Sequence, residues 1–181
     1  MLLIRENVKV SGEKFGEFMK VIFLDFNGVL DTWEEMDKIN SDNMLRLKRI
    51  VLETGAKIVI SSSLKNSYWI LGCVSSHLKM IIDELTKEGL EVIGFTPLCK
   101  IREEEIISYL NDHPEIDNYV ILDDDYEMPL LNEHLVKLPS QMIGSSQRGL
   151  EDEHVEKAIE ILGRLPKDEK SQSLRLIPNN N

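Results

Sequence analysis

The sequence predicts an α/β fold, a single Rossmann-like domain of three layers with a central parallel sheet. Short apolar runs alternate with stretches of helical periodicity along most of the chain, as in sheets whose strands are joined by crossover helices. Several runs are wholly apolar, which is typical of strands covered on both faces. The 181 residues, 42% of them hydrophobic, suffice for one well-cored domain and are short for two.

Five apolar runs predict the strands, and four stretches with apolar residues three or four positions apart predict helices. The strands are expected at Val21–Leu24, Lys57–Ile60, Leu90–Ile93, Tyr119–Leu122 and His134–Leu138. The helices are expected at Ile39–Glu53, Val74–Glu88, Ile101–Leu110 and Glu151–Leu162. Leu45, Ile50 and Leu52 should form the apolar face of the first helix, and Gly55 and Gly89 should end the first two helices.

The two ends of the chain differ from its centre. We interpret residues 1–18 as an N-terminal extension, 19–165 as the α/β domain, and the charged, then Asn-rich residues 166–181 as a flexible tail. The sequence has neither a signal peptide nor an apolar run long enough to span a membrane, so we expect a cytoplasmic protein without a membrane partner. Cys73 and Cys99 lack metal-site spacing, and we expect both to be buried small hydrophobes, which fits a reducing compartment.

The formal net charge of −11 argues against one class of function. Stable binding of nucleic acid depends on Lys and Arg side chains that neutralise phosphates, and an acidic chain lacks them. Brief contact with the end of a nucleic acid stays open. The oligomeric state cannot be predicted from the sequence.

Polar residues follow three of the predicted strands at the point where each strand ends. They are Asp25 after the first strand, Ser61, Ser62 and Ser63 after the second, and Asp123, Asp124 and Asp125 after the fourth. Because the carboxyl ends of parallel strands meet at one edge of a sheet, we expect these groups to form one site. Hydroxyls can hold phosphate oxygens, and adjacent carboxylates suit a hard cation. Each signal alone is more often a turn or a helix cap, so the prediction rests on their combination.

This combination of motifs resembles the haloacid dehalogenase (HAD) superfamily. The resemblance runs from Met19 to Leu162 and rests on Asp25–Leu30, a hydroxyl after the second strand, a basic residue near Lys100 to Arg102, and the acidic pair Asp123-Asp124. Four further stretches are similar to a small HAD branch linked to RNA-repair proteins. They are GFTP, Arg102–Ile106, VILDDD and Gly149-Leu150.

The resemblance implies a Mg²⁺-dependent phosphomonoesterase that works through an aspartyl-phosphate intermediate. Asp25 would be the nucleophile. The metal would bind Asp25, the backbone carbonyl of Asn27 and Asp124, with Asp123 in support. The substrate phosphoryl group would be held by the remaining candidates: Ser61 or alternatively Ser62, the turn at Gly28, and Lys100 or Arg102 as the cation that stabilises developing charge.

Asn27 departs from the family pattern. Family phosphatases usually carry a second Asp there, which protonates the leaving group, whereas an amide cannot carry a proton at neutral pH. Turnover should fall by roughly 10²–10⁴-fold while binding survives. Asn27 could replace a natural Asp, which the completeness of the other motifs favours. It could also belong to a slow enzyme or one that expels reactive leaving groups, or to a non-catalytic phosphoryl- or partner-binding relative.

The intervals between the motifs leave little room for a lid over the site. Asp31–Lys57 and Asn66–Leu90 each hold little more than one helix, so we expect a minimal cap or none. An open site suits a phosphorylated macromolecule, either a phosphoprotein or a nucleic-acid end. Asp31 could reach the mouth of the site or cap the next segment. The acidic run Glu103–Glu105 suits a helix N-terminus and is given no catalytic role.

Overall fold

The computed structural model describes residues 19–32, 38–140 and 149–164. The strands are β1 (Met19–Leu24), β2 (Lys57–Ile60), β3 (Val92–Phe95), β4 (Ile116–Asp123) and β5 (Leu135–Lys137). The helices are α1 (Ser41–Thr54), α2 (Asn66–Leu71), α3 (Ser76–Lys87), α4 (Arg102–Asp112) and α5 (Asp152–Gly163). The proposed extension 1–18 and tail 166–181 lie outside the described residues.

The five strands form one parallel sheet in the order β3-β2-β1-β4-β5. Successive strand residues point to opposite faces of the sheet, so each strand contributes side chains to the cores on both faces. Ile22 and Leu24 pack in the core that α1, α3 and α5 cover. Val21 and Phe23 pack in the smaller core beneath α4. The predicted single α/β domain with a central parallel sheet between helical layers is therefore confirmed.

The apolar pattern of the sequence predicted the wrong buried face for the first helix, α1. Gly55 ends α1 in the left-handed conformation, with φ of 70°, as predicted. Leu45 and Leu52, however, are 63% and 75% exposed, so the expectation that they face the core is wrong. The buried face is instead formed by Asn43, Met44, Leu47 and Ile50. Leu45 and Leu52 share one face of the helix, and Leu47 lies 200° around the helix from Leu45 at about 100° per residue, so the three leucines cannot all face the core.

The helix α2 has no counterpart among the predicted elements. It is six residues long and none of its side chains is buried, so it carries no apolar periodicity that a sequence pattern could detect. It and the preceding 3-10 turn Ser63–Lys65 fill the chain between β2 and α3. No larger insertion stands there, and none of the described helices has the length and apolar character required to cross a bilayer.

The central position of β1 determines where the motifs meet. Its neighbours are β2 and β4, and the ladders continue one residue past the strand, with Asp25 N–H donating to the Leu122 carbonyl and Ser61 N–H to the Leu24 carbonyl, both at 3.0 Å. Asp25, Ser61 and Asp123 lie two residues after Phe23, Val59 and Ile121, which share the α4-side core. The alternation of side chains therefore directs all three toward α4.

Candidate active site

Three carboxylates converge at the ends of β1 and β4. Asp25, Asp123 and Asp124 are 7%, 0% and 9% exposed, and each offers an oxygen within 4.8 Å of the others. Burial, and then the charge of Asp25, raise the pKa of Asp123, while N–H groups of Tyr126 and Asp125 at 2.9 Å oppose that rise. Buried like charges at this spacing favour a hard divalent cation with oxygen ligands, so the residues fit Mg²⁺.

The turn after β1 allows the carboxylates to approach. Gly28 has a φ of 76°, and a Cβ atom there would overlap the Asp124 carboxylate. Only glycine satisfies both the backbone conformation and the close approach. The structure thus places Gly28 against the acidic pair, where the sequence had suggested a general substrate-binding turn.

Asp31 holds this turn from within the cleft. Its side chain is 1% exposed. Its Oδ1 accepts the Gly28 N–H at 2.6 Å, and its Oδ2 accepts an N–H of the Asn27 side-chain amide at 2.9 Å. Asn27 therefore has a partner that suits an amide, since a carboxylate at the same position would need a proton to donate to Asp31. The structure thus places Asp31 at the cleft, and the segment that it could cap lies largely in residues 33–37, outside the described residues.

Arg102 is the basic candidate that reaches the carboxylates. It is the first residue of α4, and its Nη1 lies 3.0 Å from Asp123 Oδ2 and 3.5 Å from Asp25 Oδ1. Its guanidinium lies 4.7 Å from the centre of the Tyr126 ring. Lys100 is exposed, two residues before the helix begins, and it does not line the cleft. Arg102 rather than Lys100 therefore supplies positive charge at Asp25.

A second buried cation, Lys65, was not among the predicted site residues. It is 1% exposed, donates to the Ser61 carbonyl at 3.1 Å and pairs with Glu105 at 2.8 Å. Burial lowers the pKa of Lys65, and the hydrogen bond to Glu105 opposes this shift. Glu105 Oε2 also lies 3.5 Å from Arg102 Nε. The explanation of Glu105 by helix polarity alone was incomplete, because this carboxylate links both buried cations.

The two candidate hydroxyls have different surroundings. The Ser61 hydroxyl oxygen is buried and has no hydrogen-bond partner among the described residues. The Ser62 side chain accepts the Leu64 N–H and so caps the 3-10 turn. A buried hydroxyl without a partner is costly and is suited to receive a ligand oxygen. Of the two hydroxyls, Ser61 is therefore the one free to bond a ligand oxygen, while the serine that lines the cleft is Ser63.

The site opens into a cleft of about 350 Å³. Its lining residues are mostly polar or charged and come from the turn after β1, the 3-10 turn after β2, the start of α4 and the segments after β4 and β5. The lining residues are Asp25, Asn27, Gly28, Asp31, Ser63, Arg102, Asp124, Asp125, Tyr126 and Ser140. This volume is at the lower end of ligand-binding pockets and is large enough for a phosphoryl group.

A comparison with protein families agrees with this geometry. The model of the HAD domain in Swiss Army Knife RNA repair proteins matches residues 21–155, a range that includes every carboxylate and cation of the site. The chain has no match among curated proteins or among solved structures. The matched range covers most of the chain and implies a phosphatase-like hydrolase scaffold. The chain therefore belongs to the HAD superfamily, in the branch found in Swiss Army Knife RNA repair proteins.

Proposed function

We propose that the chain is a Mg²⁺-dependent phosphohydrolase of phosphate monoesters that forms an aspartyl-phosphate on Asp25, at a rate that Asn27 limits. The observation that carries the proposal is the position of Asp25. Its carboxylate lies among a buried acidic pair, the Arg102 guanidinium and, on the adjacent strand, the unpartnered Ser61 hydroxyl. This is the set of groups that a nucleophilic attack on phosphorus requires.

Each group has one task in this mechanism. The Asp25 carboxylate attacks phosphorus, Arg102 stabilises the charge that develops, and Ser61 donates to a phosphoryl oxygen. Lys65 does not contact the phosphoryl group and instead positions Ser61 and Glu105, because it donates hydrogen bonds to the Ser61 carbonyl and to the Glu105 carboxylate. A bound Mg²⁺, held by Asp25, the Asn27 carbonyl and Asp124 with support from Asp123, would neutralise and orient the phosphoryl group.

The substrate class follows from the open cleft and the family. The described residues place only the short helix α2 and a 3-10 turn between β2 and α3, so a large substrate can approach. We propose a phosphorylated macromolecular end, and the family description favours a nucleic-acid end over a phosphoprotein. The net charge of −11 limits such contact to a brief encounter.

A non-catalytic scaffold that binds phosphoryl groups or a partner is the second candidate. Asn27 favours it, because an amide at the position of the family's usual acid leaves the site able to bind and unable to shuttle a proton. Both candidate functions predict binding of phosphoryl groups, and only the phosphohydrolase predicts turnover.

Phosphate release from p-nitrophenyl phosphate, with and without Mg²⁺, tests the proposal. We expect slow, metal-dependent release that disappears in Asp25→Asn. Orthovanadate, which mimics the phosphoryl group in the transition state of its transfer, should inhibit phosphate release. Binding of orthovanadate without release by the unmodified chain, across p-nitrophenyl phosphate and phosphorylated RNA ends, would support the scaffold instead.

A further inference from the structure

The helix α2 carries an exposed aromatic pair, Tyr68 and Trp69, here called the aromatic platform. These two side chains are 38% and 46% exposed, and none of the side chains of α2 is buried. We propose that the aromatic platform stacks on a nucleobase of a single-stranded nucleic acid whose phosphorylated end lies in the cleft. This inference rests on the proposed function, because it requires a phosphorylated end in the cleft.

The aromatic platform lies at the edge of the sheet that holds the cleft. The Trp69 Nε1–H donates to the Thr96 carbonyl at 2.9 Å, and the Thr96 N–H donates to the Ile60 carbonyl at 3.1 Å. Thr96 directly follows β3 and Ile60 ends β2, so Trp69 is attached at the carboxyl edge of the sheet. Ser63 lines the cleft and precedes α2 by three residues. At a helical rise of about 1.5–2.0 Å per residue, Trp69 follows Ser63 by about 9–12 Å, a distance that a short single strand can span.

Neighbouring groups hold the two rings in place. The hydrogen bond to Thr96 orients the Trp69 indole. The centre of the Tyr68 ring lies 5.1 Å from that of Trp69 and 5.2 Å from that of Phe95. Aromatic side chains that are already oriented lose little conformational freedom when they bind a ligand. Every base has a π-face, so such rings can hold a nucleic-acid end of any sequence.

The acidic charge of the chain favours stacking over contacts to the phosphate backbone. The net charge of −11 opposes the dense Lys and Arg contacts by which most proteins hold that backbone. Stacking on an aromatic ring requires no charged group. It therefore offers affinity that this chain can supply, beside a cleft that takes the phosphate itself.

The rest of α2 provides the control for a different occupant. Ile70 and Leu71 are 70% and 71% exposed and have no π-face. A protein partner or a second copy of this chain would bury these aliphatic side chains together with the rings. A nucleobase requires the rings alone. The position of the aromatic platform beside the cleft favours the nucleobase.

The test measures binding of a short single-stranded oligoadenylate with a terminal phosphate, and of the same chain with abasic riboses next to that phosphate. One set carries the phosphate at the 5′ end and a second set at the 3′ end. The intact and abasic chains have equal charge, so a difference in affinity reports contact with the bases. Dissociation constants are measured by calorimetry in Mg²⁺, and phosphate release from the same chains is recorded in parallel. Urea unfolding establishes that each variant is folded.

The unmodified chain should bind the intact oligoadenylate roughly 5- to 150-fold more tightly than the abasic chain, in the set whose phosphate enters the cleft. Trp69→Ala and Tyr68→Ala should each reduce this preference and leave affinity for the abasic chain unchanged. Trp69→Phe keeps a π-face and should retain most of the preference. Leu71→Ala, the matched control, should bind like the unmodified chain. The dependence of affinity on salt should have the same slope in Trp69→Ala, because the lost contact carries no charge.

Three results would overturn the proposal. The first is equal affinity of the unmodified chain for intact and abasic chains in both sets, a comparison that needs no variant. The second is an equal loss in Leu71→Ala and Trp69→Ala, which would assign α2 to general apolar contact with a protein or a second copy. The third is a loss in Trp69→Phe as large as in Trp69→Ala, which would show that Trp69 acts through its hydrogen bond to Thr96.

The parallel record of phosphate release separates this inference from the proposed function. Any of the three results, together with Mg²⁺-dependent release that disappears in Asp25→Asn, would remove the stacking contact and leave the phosphohydrolase. A preference for the intact oligoadenylate that depends on Trp69, without release from any chain, would support the stacking contact and remove the proposed turnover.

Discussion

Replacement of Gly28 by alanine should damage the metal site more than the fold. A residue with a Cβ atom at a φ of 76° costs about 1–2 kcal/mol in backbone strain alone. The new Cβ would also overlap the Asp124 carboxylate, so that Asp124 or the turn must move, at a further cost of about 1–3 kcal/mol. Displacement of Asp124 separates it from Asp25 and Asp123, and affinity for Mg²⁺ should fall.

Gly89→Ala is the matched control. Its φ is 79°, and a Cβ atom there meets no heavy atom within 4 Å, so this variant has the strain without the overlap. The assay is the free energy of unfolding in urea, with and without Mg²⁺. The unmodified chain and Gly89→Ala should gain about 2.7 kcal/mol at a Mg²⁺ concentration about 100 times the dissociation constant, and Gly28→Ala should gain far less. Equal losses in the two variants, with Mg²⁺ stabilisation retained in both, would refute the argument.

Three further substitutions address the buried polar groups. Glu105→Gln should lower the free energy of unfolding by about 3 kcal/mol, because it leaves the Lys65 ammonium buried without its anion. Ser61→Ala should keep or raise stability, because it removes a buried hydroxyl without a partner, and yet lower phosphate release. Burial lowers the pKa of His154, whose Nδ1 accepts the Glu151 N–H at 3.0 Å. Its folded-state pKa therefore lies below the unfolded value of about 6.5, and its stability contribution, complete above that pH, is lost as pH falls through the folded-state pKa. His154→Gln keeps a cap acceptor and should weaken this acid sensitivity in urea unfolding curves recorded from about pH 8 to about pH 5.

The controls use groups with the same chemistry in other surroundings. Glu53→Gln breaks the exposed pair with Arg49 and should leave the free energy of unfolding nearly unchanged. A Glu105→Gln loss as small as this would show that the buried pair is unimportant. Ser62→Ala removes a turn cap and should reduce stability, unlike Ser61→Ala. If His154→Gln leaves the acid sensitivity unchanged, the assignment of that sensitivity to His154 is wrong.

The strands and their polar ends could be predicted because they depend on local pattern. Apolar runs located every strand to within a few residues, and the rule that parallel strands end at one edge brought Asp25, Ser61 and Asp123 together. The Lys65–Glu105 pair joins residues 40 positions apart, and no local pattern reports such a contact. Lys65 does lie four residues after Ser61, about one turn, and that spacing was the available signal.

The choice between Lys100 and Arg102 needed a helix boundary. Because α4 begins at Arg102, that side chain lies over the site while Lys100 lies outside it, and sequence patterns locate helix ends poorly. The hydrogen bond from Asn27 to Asp31 could not be predicted from the sequence either, since it depends on the conformation of the turn. Leu45 and Leu52 were misassigned because hydrophobic type was taken for burial. The predicted burial of Cys73 and Cys99 is wrong for the same reason, since both are exposed.

The most direct test of the central claim is to look for phosphate on Asp25. The protein is incubated with acetyl phosphate and Mg²⁺, quenched in acid and analysed by peptide mass spectrometry. The proposed mechanism predicts one added phosphoryl group on the peptide that contains Asp25, dependent on Mg²⁺ and absent from Asp25→Asn. Its absence at every quench time, while the Asp25→Asn variant releases phosphate as fast as the unmodified chain, would contradict an aspartyl-phosphate intermediate at this site.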